Sequence, residues 1–268
     1  MKYAWLLGTA ILIAAMALPA EDGIRQLTLR SRVQLFKGSN QWSPVQADYP
    51  FQPGKSALIV CDMWDKHWCS GANMRLAPLV KRLEPVLEMA RRKGIVIVHA
   101  PSETMSYYAD APQRQRILAL PEFAPPKELS ISASPLPIDD SDGGCDTPGD
   151  KEHRTWTREN PGLTIAPEDY ISDNGHEIYN LLRSRGIETV FYAGVHVNMC
   201  ILNRTFAIKQ MTKWGVHCVL LRDLTDAMYN PKDAPYVSHQ QGVELVVEYI
   251  EKYWSPTALS GDLVRALK

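Results

Sequence analysis

Cys200 closes a run, Tyr192-Ala193-Gly194-Val195-His196-Val197-Asn198-Met199-Cys200, that changes character at its glycine. Before the glycine, residues 187–193 form a short apolar segment rich in β-branched and aromatic side chains, the pattern of a buried strand. After it, Met199, Leu202, Phe206 and Met211 recur at roughly helical spacing, which predicts a helix over 198–213. A thiol in the first helical turn after a strand lies among backbone N–H groups that have no intrahelical partner. It also lies at the positive end of the helix dipole, and both favour a thiolate and an oxyanion beside it. That is the setting of a nucleophile, and the competing reading is a buried structural cysteine. Three more chemically capable side chains end apolar runs: Asp62 after 56–61, His99 at the end of 95–99, and Asp223 after 216–221.

The elements that must position them alternate. Residues 24–53 alternate loosely, with Gly and Pro punctuation, and predict an edge hairpin. Residues 56–61 form a continuous apolar run of the kind found in central parallel strands. An amphipathic helix over 76–93 is closed by Gly94, and a second buried strand follows at 95–99. A helical piece near 112–120 leads into a long Pro-, Asp- and Gly-rich excursion over 121–167. Strand 169–172, helix 176–185, strand 187–193, the helix after Cys200, strand 216–221 and helix 240–253 complete the pattern. This order predicts an α/β fold, a doubly wound and mainly parallel sheet with helices on both faces in three layers. In such sheets ligands bind outside the carboxyl ends of the strands, where Asp62, His99, Cys200 and Asp223 all fall.

The chain of 268 residues carries a net charge of −1, which argues against a nucleic-acid or polyanion partner. Residues 1–20 have a basic start, an apolar run and small residues for cleavage, so they read as a secretory signal peptide. The expected divisions are the signal at 1–20, an edge extension at 21–55, the main domain at 56–254 and a tail at 255–268. A secreted or periplasmic location, with no stable membrane anchor after cleavage, follows from that reading. Five cysteines in an exported chain leave at least one unpaired. Cys61 and Cys218 fall in strand-like runs, whereas Cys69 and Cys145 sit in loop-like contexts where a bridge is open. The acidic loop 139–146 reads as a lid or subunit contact, because long loops in compact domains usually have a task. Asp223 and Asp226 read as caps of the next segment.

Two stretches carry a resemblance. Ala57-Leu58-Ile59-Val60-Cys61-Asp62-Met63-Trp64 and the segment from Gly186 to Cys200 resemble the first strand and the nucleophile turn of the isochorismatase-like cysteine hydrolases. That family includes nicotinamidases and N-carbamoylsarcosine amidases, and the resemblance covers roughly 56–253. It implies that Cys200 attacks an amide-type carbonyl and that Asp62 accepts and later returns the proton. It also implies a cis peptide at Val195–His196, turning the His196 N–H inward to form an oxyanion hole with the Cys200 N–H.

The family's third catalytic group is a lysine, but Asp173 stands near its place and the following loop is shorter. Lys66, nearest in sequence to Asp62, is the expected substitute, with Lys151 and Arg158 as alternatives. Trp64, His67, His99 and Asn198 are expected to line the substrate pocket. Nicotinamidases hold a metal through an aspartate and histidines; the spacing of Asp65, His67 and His99 does not match, and neither metal nor cofactor is expected. The partners implied are a small-molecule substrate and, by resemblance only, a second copy of the chain. Three readings stand: thioester hydrolysis of a small C–N bond, vinyl-ether hydrolysis by Asp62 without Cys200, and a non-catalytic binding protein.

Overall fold

The computed structural model describes residues 23–268, so the signal-like segment 1–20 lies outside the described residues. Strands β1 (Arg25–Gln34) and β2 (Trp42–Phe51) pair antiparallel along their whole length, as the expected hairpin. Strand β3 (Ser56–Cys61) follows, with every residue buried. Helix α1 (Ser70–Arg92) leads to β4 (Val96–Ala100), then α2 (Pro112–Leu118) and the two-residue β5 (Tyr170–Ile171). Next come α3 (Gly175–Ser184), β6 (Thr189–Val195), α4 (Cys200–Asn203) and α5 (Ile208–Lys213). The chain closes with β7 (His217–Asp226), α6 (His239–Tyr253), β8 (Thr257–Ala258) and α7 (Ser260–Leu267).

The eight strands lie in the order β2-β1-β8-β7-β6-β3-β4-β5. From β8 to β5 every neighbour pair is parallel, and among the described strands the two pairings of β1 are antiparallel. The three layers follow from the pleat. Ala57, Ile59 and Cys61 point into one apolar cluster with α3 and α6, while Leu58 and Val60 point into another with α1 and α7. Strand β3 is buried on both faces, which is why its sequence is a continuous apolar run and not an alternating one.

From β3 the chain first builds outward through β4 and β5, then returns to place β6 on the other side of β3. The order therefore reverses between β3 and β6. A crevice must open at the carboxyl ends of those two strands, because the connections leaving them diverge. Asp62 follows β3, and the turn to Cys200 follows β6.

Three boundaries differ from the sequence reading. Helix α1 begins at Ser70, six residues before its first core contact at Leu76, apart from small Gly71 and Ala72. Its start is capped from elsewhere: Ser70 N–H donates to Asp150 Oδ2 at 2.6 Å, and Gly71 N–H to Thr147 Oγ1 at 2.9 Å. The single helix expected over 198–213 is broken at Arg204, whose extended backbone (φ −62°, ψ 158°) ends α4 after one turn. Residues 255–268 are not a tail. Strand β8 fills the gap between β7 and β1, and α7 packs Leu263 and Leu267 into the core. Asp223 and Asp226 do not cap the next helix, whose N-cap is Ser238. Asp223 lies inside β7 and accepts from the N–H and hydroxyl of Ser260 in α7 at 2.7 and 2.6 Å, while Asp226 pairs with Arg75 and His239.

Candidate active site

Asp62 lies fully buried at the tip of β3, in a left-handed backbone conformation (φ 49°). Its Oδ1 accepts the backbone N–H of Ser102 at 2.7 Å, and its Oδ2 accepts Arg204 Nε at 3.0 Å. Burial raises the pKa of this carboxyl, while Arg204, the Cys200 thiol and Ser102 pull it back down. The result is a carboxyl more basic than an exposed aspartate, with the Arg204 guanidinium opposing the effect of burial.

Cys200 faces Asp62 across the gap between β3 and β6. Burial pushes its thiol strongly upward; the charge of Asp62 and its hydrogen bond push the same way, against Arg204 and the backbone N–H of His196. The expectation of a resting thiolate is therefore reversed. Helix α4 is only one turn long, and its end cannot offset a buried carboxylate next to the sulfur. Burial and the neighbouring Asp62 both favour the protonated thiol.

Tight packing builds the turn that delivers the sulfur. The Val195–His196 peptide is cis, as the resemblance implies. Gly194 (φ 115°) lies against β3, where a Cβ would collide with the Cys61 carbonyl, so no other residue fits. The His196 N–H points at the Cys200 sulfur. The Cys200 N–H, at the first position of α4, has no backbone acceptor among the described residues.

Arg204 supplies the cation on Asp62, and Lys66 does not. Lys66 is exposed, Lys151 is exposed, and Arg158 is turned toward the Tyr107 hydroxyl at 3.0 Å. Arg204 lies four residues after Cys200, so one helical turn brings both side chains to the same face, over Asp62. That spacing was the signal available in the sequence. Arg204 also approaches Glu103 Oε1 at 3.4 Å, and the Glu103 N–H donates to Asp173 Oδ2 at 2.8 Å. The residue standing where a lysine was expected thus orients the loop that carries a second carboxylate to Arg204.

Of the expected pocket residues, Asn198 lines the cleft and the others do not. The cleft over Cys200 has a volume of about 410 Å³ and is lined by Leu136, Asp140, Asn198, Met199, Cys200, Asn203 and Arg204. Asn198 donates to Asp140 Oδ2 at 2.8 Å and to the Met228 carbonyl at 2.9 Å, and accepts the Met228 N–H at 2.9 Å. One amide therefore ties the nucleophile turn to two other loops.

His99 is fully buried beneath the rim, bonded to Glu159 at 2.9 Å and Asp169 at 3.1 Å. Burial alone would lower its pKa, but the two carboxylates outweigh it and hold His99 at about 9, a protonated strut. Trp64 is buried, stacked on Trp156 at 4.3 Å, with its indole N–H donating to the Ser102 carbonyl. His67 accepts the Cys69 N–H at 3.1 Å and meets the His196 ring edge-on at 5.0 Å. These aromatics form a wall behind the turn, in which burial keeps both imidazoles neutral, with pKa values near 4 for His67 and 3 for His196. Asp65 is occupied by Thr157, whose N–H and hydroxyl it accepts at 2.9 and 2.6 Å, so it does not join His67 and His99.

A disulfide joins Cys69, just before α1, to Cys145 in the long loop. Cys61, Cys200 and Cys218 are free thiols, and of these Cys61 and Cys218 are buried, as expected. The loop 139–146 covers the rim at Asp140 and anchors at Cys145, Asp146 to Arg75 (2.5 Å) and Gly144 against the Met228 carbonyl.

No protein-family model matches the chain, nor does any curated protein. Among solved structures, a cysteine hydrolase from Pseudomonas syringae pv. phaseolicola 1448A superposes with a TM-score of 0.53 at 17% identity, over 82% of this chain and 95% of the other. A protein from Burkholderia xenovorans LB400, provisionally described as an isochorismatase, superposes with a TM-score of 0.50 at 15% identity, over 80% of this chain and 87% of the other. The chain has the isochorismatase-like α/β fold.

Proposed function

We propose that the protein is a cysteine hydrolase that cleaves a small amide, carbamoyl or related C–N bond through a thioester on Cys200. The observation that carries this reading is a triad at the switch point of the sheet: a half-buried thiol, a buried carboxylate and a half-buried guanidinium, with Arg204 Nε 3.0 Å from Asp62. The Asp62 carboxylate takes the thiol proton as the sulfur attacks the carbonyl carbon. The oxyanion that forms lies between the N–H groups of His196 and Cys200. Asp62 returns the proton to the departing nitrogen, the C–N bond breaks and ammonia or an amine leaves. Water then adds to the thioester, losing its proton to Asp62; collapse expels the sulfur, which takes that proton back, and the acid departs.

Arg204 has two effects in this cycle. It lowers the Asp62 pKa against burial, and it stabilises the charge that moves between sulfur, carboxylate and oxyanion. A guanidinium does not release its proton near neutral pH, so both proton transfers fall to Asp62. An extracytoplasmic location is supported by the Cys69–Cys145 bridge, since disulfides persist in oxidising compartments.

The test is ammonia release from a panel of small primary amides by the wild-type protein and the Cys200→Ala and Asp62→Asn variants. Both substitutions are expected to abolish turnover. Turnover that survives in Cys200→Ala would rule out the thioester and leave chemistry centred on Asp62.

A further inference from the structure

Asp140 reaches the Cys200 cleft from the long loop, and the protein does not neutralise its charge. Its side-chain partner is the neutral amide of Asn198, at 2.8 Å. Among the described residues, no basic nitrogen lies within ion-pair distance of it. Arg204 lines the same cleft, but its charge is already engaged by Asp62 and Glu103. Lys209 feels Asp140 only through space; its ammonium donates to Asn203 Oδ1 at 2.8 Å and lies over the Trp254 ring. Asp140 is thus the carboxylate that lines the cleft with Cys200, while the charge of Arg204 is met by Asp62 and Glu103, and Leu136 and Met199 form the apolar wall.

We propose that this site selects a substrate bearing a positive charge, with Asp140 as the residue that selects it. The inference rests on Cys200 being the nucleophile of the hydrolase proposed above. The substrate class is a small carboxamide joined by a short apolar stretch to a protonated amine or guanidinium. Its carbonyl meets Cys200 while its cation pairs with Asp140. A cleft of about 410 Å³ suits a molecule of that size. A carboxylate on the substrate would instead meet Asp140 unpaired, which is the repulsive half of specificity.

Two measurements separate this proposal from the one beneath it. The first is kcat/KM for 4-aminobutanamide, its neutral isostere pentanamide and the anionic 4-carbamoylbutanoate, with wild-type protein, Asp140→Asn and Asp140→Ala. The cation is expected to be favoured over the neutral amide by on the order of tenfold, and both variants to remove most of that preference. The second needs no turnover: alkylthiolation of Cys200 at pH 9 by a cationic and an anionic methanethiosulfonate, read by mass on the Cys200 peptide. The cationic reagent should react faster, and Asp140→Asn should bring the two rates together.

Hydrolysis without charge preference, or with preference for the anion, overturns the selection by Asp140 and leaves the hydrolase standing. Charge-selective labelling with no amide hydrolysed supports the cationic site and removes the hydrolase. If neither reagent labels Cys200 and no amide is hydrolysed, both proposals fall.

Discussion

Cys200 and Asp62 each have a pKa moved upward, and the two shifts have opposite effects on reactivity. Raising Asp62 makes it a better base; raising Cys200 withholds the thiolate until a carbonyl is in place. The free thiol is therefore expected to alkylate slowly at neutral pH with iodoacetamide, and faster only well above the ordinary thiol range. Rapid labelling at pH 7 would contradict this. Arg204 is the side chain on which the balance turns. Arg204→Met should lower kcat/KM by about 10²–10³, in line with removing one charge-stabilising donor from a closed site. Because Arg204 depresses the Asp62 pKa, its loss should also move the acid limb of the pH–rate profile to higher pH. Arg204→Lys should recover part of the rate, since a point charge replaces the guanidinium fork. An unchanged acid limb in Arg204→Met would mean that the guanidinium does not act on Asp62.

At the level of elements, the strands were legible because burial on both faces leaves a continuous apolar run, as in 56–61 and 187–193. Local pattern failed where the deciding contact is distant. The start of α1 has no apolar periodicity and is capped by residues 147 and 150, far along the chain. Strand β8 is two residues long and exists because β7 and β1 leave a place for it. Arg204 stands one helical turn after Cys200, but the contact that gives it a role, with Asp62, joins residues 142 apart in the sequence, which no local pattern shows. His99, read as a pocket residue, is a strut, because Glu159 comes from the irregular segment that no periodicity describes and Asp169 from the residue just before β5. Replacing His99 with Ala leaves the buried Glu159 without its cation, while Asp169 keeps Arg91 at 2.8 Å, so a loss of about 3–5 kcal/mol is expected in denaturant unfolding. A loss below about 1 kcal/mol would show that the strut carries no load.

For the whole molecule, buried histidines should limit stability at both ends of the pH scale. His67 and His196 have folded pKa values near 4 and 3, below the unfolded value, so acidification below about 6.5 favours the unfolded chain, which binds protons more readily. His99, raised to about 9, contributes stability that is complete below the unfolded value of about 6.5 and is lost as pH rises through 9. Thermal melts from pH 4 to 10 should therefore peak between these limits, and a maximum below pH 5 would contradict the assignment. The Cys69–Cys145 bridge closes a loop with a sequence separation of 76, so its reduction should cost roughly 4–5 kcal/mol by chain entropy. Reduction should also weaken substrate binding, because the same loop brings Asp140 to the cleft. Urea titrations with and without dithiothreitol measure the first effect, and KM under the same conditions the second. The central step is the covalent attachment of a carbonyl carbon to the sulfur of Cys200. The direct measurement is the intact mass of the protein quenched in acid within milliseconds of mixing with a small activated ester such as a p-nitrophenyl ester. An added acyl group located on Cys200, absent in Cys200→Ala and strongly reduced in Asp62→Asn, is the predicted result. Ester turnover with no acyl adduct, or an adduct on another residue, would contradict the account.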